Sequence, residues 1–254
     1  MLKIIKYEFR KNRLSLAIML GIAAGLYALA PLGKLLDKGE LMLISVFLLF
    51  TYAFAAYVYV LVRGITAYSG ELRGRSGYLL MLVPRSTMSI LFGKLLFTLV
   101  MGLLMLAVSA FALSAAWMVL FEDSLDLASI IATARFMLLQ EGITPGMITS
   151  TVLFFTAAIL TSVLVVVAVG YLAVTLSATV LQGGKLRGLL SFVLFAVLIG
   201  LTARLQGLVT PEAVLYGTYE EAVRAAMPVL MIDLALTCAF TALSAVLLKK
   251  KVSL

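Results

Sequence analysis

Few side chains in these 254 residues can do chemistry, and their spacing excludes most of what they could do. Histidine is absent, which removes imidazole acid–base catalysis, a Ser-His dyad and most zinc sites. The one cysteine, Cys238, has no second thiol in the chain with which to form a disulfide. A phosphate-binding loop needs G-x-x-x-x-G-K-[ST], whose amides cradle phosphates and whose lysine reaches them. The pairs Gly33-Lys34, Gly93-Lys94 and Gly184-Lys185 all precede leucine, and none has the glycine five residues upstream. No nucleophile and base converge, so no catalytic residue, no metal ligand and no cofactor of the chain's own is expected. The chain does not read as an enzyme. The chemistry that remains lies in two places: Asp233, alone in an otherwise uncharged stretch, and a cluster of charges between residues 63 and 87.

The elements that must position these groups follow from composition. Apolar residues make up 63% and charged residues 13%, with a mean hydropathy of +1.15. A soluble domain is about 45–50% apolar and about 25% charged. One core of this size cannot bury such an excess, so most of it must face lipid. The expected fold class is an all-α integral membrane protein, in one membrane domain spanning 1–254.

A helix crossing the hydrocarbon needs about 20 apolar residues. Charge-free runs cover residues 14–33, 41–62, 95–121, 142–184 and 188–203, and 225–248 is broken only by Asp233. Six transmembrane helices are expected at about 14–32, 41–62, 90–121, 147–181, 188–203 and 226–248. The 43-residue fourth run reads as one long helix beginning after the Pro145-Gly146 break, its polar end (Thr175, Ser177, Thr179, Gln182) projecting from the membrane. Splitting it would make seven spans and carry the lysines at 249–251 to the far side. Ala28-Leu29-Ala30 resembles a signal cleavage site, but the apolar stretch exceeds a usual h-region of about 7–15 residues. Pro31 would also obstruct the cut, so this stretch reads as a retained span.

Six spans put both termini on one side. Assigning that side to the cytoplasm places 15 of the 20 basic residues inside, leaving only Lys34, Lys38, Arg135, Arg204 and Arg224 outside. The net charge of +8 is therefore a topology signal and calls for no nucleic acid. Residues 1–13 form an expected amphipathic interfacial helix, with Leu2, Ile5 and Phe9 on one side and Lys3, Lys6, Arg10 and Arg13 on the other. Such a helix suits the surface of anionic membrane lipids, or serves only as a basic anchor for the first span.

The segment 63–87 carries the most information. If it is helical, Tyr68, Leu72, Arg75 and Leu79 share one face, and Gly70, Gly74 and Gly77 another. Each interior glycine costs about 1 kcal/mol of helix stability, so contacts rather than propensity should hold it. Pro84 interrupts the helix, and Ser86 is the expected cap of the third span.

The order is a basic N-terminal helix, two spans, then Gly70-Glu71-Leu72-Arg73-Gly74-Arg75, Leu79-Leu80, Pro84-Arg85 and Gly93-Lys94. It resembles the permease subunit of ABC-2 type exporters, in topology over nearly the whole chain and in motif over 63–94. The resemblance implies a cytoplasmic coupling helix that docks on a separate ABC ATPase subunit, which binds the ATP and Mg. Glu71, Arg73 and Arg75 would then be charged contacts, and Leu72, Tyr78 and Leu79 packing contacts. It further implies a second copy of the permease, re-entrant helices before the last span, and a bacterial cytoplasmic membrane. An ordinary solvated loop obeying the charge rule is the plain alternative.

Within the spans, Gly21 and Gly25 form a GxxxG pair suited either to the permease dimer interface or to packing inside one subunit. Phe47, Phe50, Phe54 and Tyr57 form a stripe that could line a substrate path or simply pack or meet lipid. An ionised Asp233 near the membrane centre costs at least about 2.5 kcal/mol unless paired or wet; Arg204 could be its partner, or Asp233 could face the substrate path or carry a proton. The outer loop 122–141 holds four acids against Arg135 and reads as a solvated loop. The expected function is export of amphipathic or apolar cargo, peptides first, driven by the partner ATPase. The rivals are a proton-coupled carrier using Asp233 and a non-transporting immunity or scaffold protein.

Overall fold

The computed structural model describes residues 2–73, 86–121, 144–180, 186–209 and 219–251. These form helices α1 (Leu2–Leu35), α2 (Gly39–Arg73), α3 (Thr87–Phe121), α4 (Pro145–Val180), α5 (Arg187–Val209) and α6 (Tyr219–Lys251), with no strand among the described residues. All six are long and apolar enough to cross a membrane. The chain is an all-α protein with the architecture of a multi-pass membrane protein.

The helices are longer than the apolar runs that announce them, because backbone hydrogen bonding continues where hydropathy fades. Residues 2–13 are the first turns of α1, continuous with the first span. Residues 63–73, expected to open the loop, instead finish α2. The fifth helix runs on to Val209, through Arg204 and Gly207, where the sequence had suggested a break. The 43-residue run contains a single helix of 36 residues, α4, as expected. Pro145 sits in its first turn, and Thr144 caps it: the Met147 amide reaches the Thr144 carbonyl at 3.0 Å and its hydroxyl at 3.4 Å. Ser86 caps α3 as expected, accepting the Ser89 amide on its hydroxyl at 3.3 Å.

The α1–α2 corner is a Schellman turn. The Lys38 amide bonds the Gly33 carbonyl at 2.9 Å and the Asp37 amide bonds that of Lys34 at 3.1 Å. Asp37 takes the left-handed conformation, φ 53°. A Cβ on Gly33 would sit 2.8 Å from Met42 Cγ and 3.0 Å from the Met42 amide nitrogen, so the close return of α2 requires glycine there.

The described chain forms two compact units. One comprises Arg10–Tyr59 and Met101–Leu153. Its core joins Ala30 of α1, Val46 and Leu49 of α2, and Ala112 and Ala116 of α3. Small residues let helices approach closely in lipid. Two side-chain bonds cross between α1 and α2: Ser45 donates to the Leu26 carbonyl at 2.7 Å, and Tyr52 to that of Met19 at 3.1 Å.

The other unit comprises Met1–Phe9, Val60–Val100 and Phe154–Leu254. Its centre is α4, whose residues 167–175 are buried without interruption. Thr175 and Ser177 are therefore not the solvated projection that their polarity suggests. Each hydroxyl bonds a carbonyl of its own helix, Thr175 to Tyr171 at 2.7 Å and Ser177 to Val174 at 2.9 Å, which lets polar residues enter the core.

Candidate functional site

Three ionisable side chains meet inside the second unit. Lys94, in the second turn of α3, is 2% exposed, and Glu8 of α1 is 1% exposed. The Lys94 ammonium donates to Glu8 Oε1 at 2.6 Å and to Glu71 Oε1 of α2 at 2.8 Å. Glu71 is nearly as buried, its side chain 12% exposed. A lone charge in such surroundings would be prohibitively costly, so each of these groups depends on the others.

Packing around the triad explains how the helices come together. On α1, Ile4 lies against Gly93, and a Cβ there would meet Ile4 Cδ1 at 3.2 Å. Phe9 stands edge-on to Phe97, with ring centroids 5.1 Å apart. Glu8, Asn12 and Leu16 are buried along α1, and Ile4, Ile5 and Phe9 are half-buried beside them, while Lys6, Arg10 and Arg13 are exposed. Thr98, one turn after Lys94, donates to the Lys94 carbonyl at 3.0 Å.

Along α2 the same face leads from Gly64 to Glu71. A Cβ on Gly64 would lie 2.9 Å from Val167 and 3.1 Å from Thr98, and one on Gly170 only 2.6 Å from Ile65 Cγ1. Glycines at both positions let the Val167 side chain of α4 pack onto the backbone of α2, and the Ile65 side chain of α2 onto that of α4. Tyr68, three residues before Glu71, is buried; its hydroxyl lies 2.6 Å from Thr175 Oγ1 and its ring 4.6 Å from that of Tyr171.

Of the residues assigned to coupling, Glu71 is therefore tied to Lys94 inside the chain, and Leu72 is half-buried beside it in α2. Arg73 ends that helix, while Arg75, Tyr78, Leu79 and Pro84 lie outside the described residues, as do the outer loop 122–141 and the segment 210–218. Gly21 and Gly25 are exposed, and a Cβ on either would meet nothing within 4 Å. Packing within one subunit is thus not their role among the described residues. Phe47, Phe50 and Phe54 also face outward, Phe47 72% exposed, and Tyr57 is half-buried.

Asp233 is buried in α6, and its possible pairing with Arg204 is not made. Gln206 Nε2 donates to Asp233 Oδ1 at 2.6 Å, and Arg204 points outward. An amide two residues further along α5 satisfies the acid where a guanidinium would have to turn away from solvent. Sequence reasoning passed over Glu8, which stands among five basic residues and reads there as part of a charged anchor. The signal available was Lys94, a cation one turn inside an apolar run that needs an acid from elsewhere.

No three His, Cys, Asp or Glu side chains among the described residues form a metal site. The Lys94 ammonium spends two of its three protons on the two carboxylates. The triad can fix the ends of three helices to one another, and it can shift them together. Comparison with protein-family models, with curated proteins and with solved structures finds no match for this chain.

Proposed function

We propose that this chain is the membrane permease subunit of an ATP-driven exporter of the ABC-2 type. Two copies would assemble with two cytoplasmic ATPase subunits in a bacterial membrane, both termini inside, and move amphipathic or apolar cargo outward, peptides first. The observation that carries this reading is the tie across the base of the coupling segment. Residues 74–85 leave α2 just after Glu71 and re-enter α3 just before Lys94, and those two side chains are 2.8 Å apart. Glu8 brings α1 to the same point.

A force applied to this segment by a closing ATPase would reach α1, α2 and α3 together through one buried ion cluster. The Tyr68–Thr175 contact extends the connection to α4. Motive energy has to come from a partner, since the chain has no phosphate-binding loop. On this reading Glu71 holds the segment in place, and the contacts with the ATPase fall to Arg73, Arg75, Tyr78 and Leu79.

The test is purification from the native membrane in mild detergent, comparing wild type with the combined variant Arg75→Ala/Tyr78→Ala/Leu79→Ala, which leaves the triad intact. An ATPase that accompanies wild type and is lost from the variant, at an unchanged melting midpoint, supports the reading. An ATPase retained by both refutes the assignment of the contacts. Wild type that carries none, from a preparation in which other transporter complexes survive, refutes the exporter. A carrier working through the buried Asp233–Gln206 pair is then the reading to pursue. A partner held regardless of nucleotide marks a scaffold or immunity protein.

A further inference from the structure

Charge is spread unevenly between the two ends of these helices. With six crossings, the end from which α1 starts holds two acids, Glu8 and Glu71, and both are bound to Lys94. Apart from Asp233, the remaining acids fall within 37–40, 122–141 and 212–221, at the opposite end. Cations exposed near the start of α1 must therefore find their counter-charge outside the chain.

Arg10 and Arg13 are two such cations. Both are exposed, while Asn12 between them is buried. Neither has an ion-pair or hydrogen-bond partner among the described residues. One turn apart, their Cβ atoms stand about 5–6 Å from each other, a spacing at which like charges repel unless an anion joins them. The charge-free run begins at Leu14, so Arg13 stands about 1.5 Å and Arg10 about 6 Å short of it along the helix axis. Both thus fall within the lipid headgroup layer, which is about 5–7 Å thick on each side of the hydrocarbon. Beyond them α1 presents apolar side chains outward, Leu14 71% and Ile18 54% exposed.

Two guanidiniums at headgroup depth, leading into exposed aliphatic side chains, match an amphiphile with an anionic head. Guanidinium bonds phosphate oxygens in pairs. A zwitterionic lipid carries a cationic group beside its phosphate, which the arginines repel, whereas a lipid of net negative charge does not. Free phosphate matches the arginines alone. We propose that Arg10 and Arg13 clasp the phosphate of one anionic phospholipid, whose acyl chain lies along Leu14 and Ile18. This assignment rests on α1 and holds whether or not the chain is an exporter.

The single tryptophan, Trp117, makes a fluorescence test practicable. The full chain carrying Trp117→Phe and Leu14→Trp is reconstituted in phosphatidylcholine vesicles with increasing phosphatidylglycerol, the acyl chains of one lipid or the other being brominated. Brominated phosphatidylglycerol should half-quench the reporter at about five-fold lower mole fraction than brominated phosphatidylcholine, the effect of one basic contact at a membrane surface. Adding Arg10→Gln and Arg13→Gln should abolish that preference. A reporter placed instead by Phe111→Trp, at a position 75% exposed on α3, should show none. Equal quenching of the Leu14→Trp reporter by both lipids overturns the proposal and leaves the arginines as a plain topological anchor. A preference that survives the two arginine substitutions overturns it as well. So does absence of quenching by either lipid, since that face is then covered by protein, a second copy or an acidic partner.

Discussion

The Tyr68 and Thr175 hydroxyls lie 2.6 Å apart, although 107 residues separate them in the chain. Thr175 already donates its one proton to the Tyr171 carbonyl, so Tyr68 is the donor of the shared bond. The contact fixes the register of α2 on α4 near the level where Gly64 and Gly170 admit the side chains of Val167 and Ile65.

Because Thr175 keeps its own acceptor, Tyr68→Phe removes a bond without orphaning a proton. A loss of about 0.5–1.5 kcal/mol is expected, read as a lower melting midpoint in detergent. Thr175→Val strands the Tyr68 hydroxyl and should cost more. The double variant should then recover part of that difference.

Lys94→Met leaves two buried carboxylates facing each other with their shared cation gone. Breaking a buried ion pair from one side costs about 3–5 kcal/mol, so the variant should accumulate poorly and melt early. Adding Glu8→Gln and Glu71→Gln removes the stranded charge and should restore much of the midpoint. A triple variant no more stable than Lys94→Met would show that the charges are not coupled.

The two candidate partners of Asp233 separate cleanly. Arg204→Gln, at an exposed position, should leave the midpoint within about 0.5 kcal/mol of wild type. Gln206→Leu withdraws the donor from a buried carboxylate and should cost about 1–3 kcal/mol. Asp233→Asn keeps an oxygen for Gln206 and should be tolerated in folding, so any loss of transport it causes would report on the acid itself.

At the α1–α2 corner, Asp37 holds a left-handed conformation that glycine adopts without cost. Asp37→Gly should raise the midpoint slightly. Asp37→Val, with a branched Cβ against the carbonyl, should lose about 1–2 kcal/mol.

The six helices were legible because a run of apolar residues about as long as a membrane is thick has few other meanings. The Ser86 cap and the Pro145 start were legible because caps are local. The triad was not, for Glu8 and Lys94 are 86 residues apart and no periodicity pairs them. Nor was the burial of Thr175 and Ser177 visible, since hydropathy scores a hydroxyl as polar without knowing that a helix carbonyl will accept it. The choice of Gln206 over Arg204 turned on two residues of helix, about 200° of rotation at 3.6 residues per turn.

The uninterrupted burial of residues 167–175 also bears on how the chain is made. Alone in a bilayer, α4 is apolar enough to insert without help, yet in the finished unit these nine positions are buried. Since α5, which comes beside Gly170, Ala173 and Val174, is synthesised after it, part of that surface must first be covered by lipid and later surrender it. Substitutions there should therefore leave insertion intact and interfere with assembly, yielding a protein that reaches the membrane and is degraded within it.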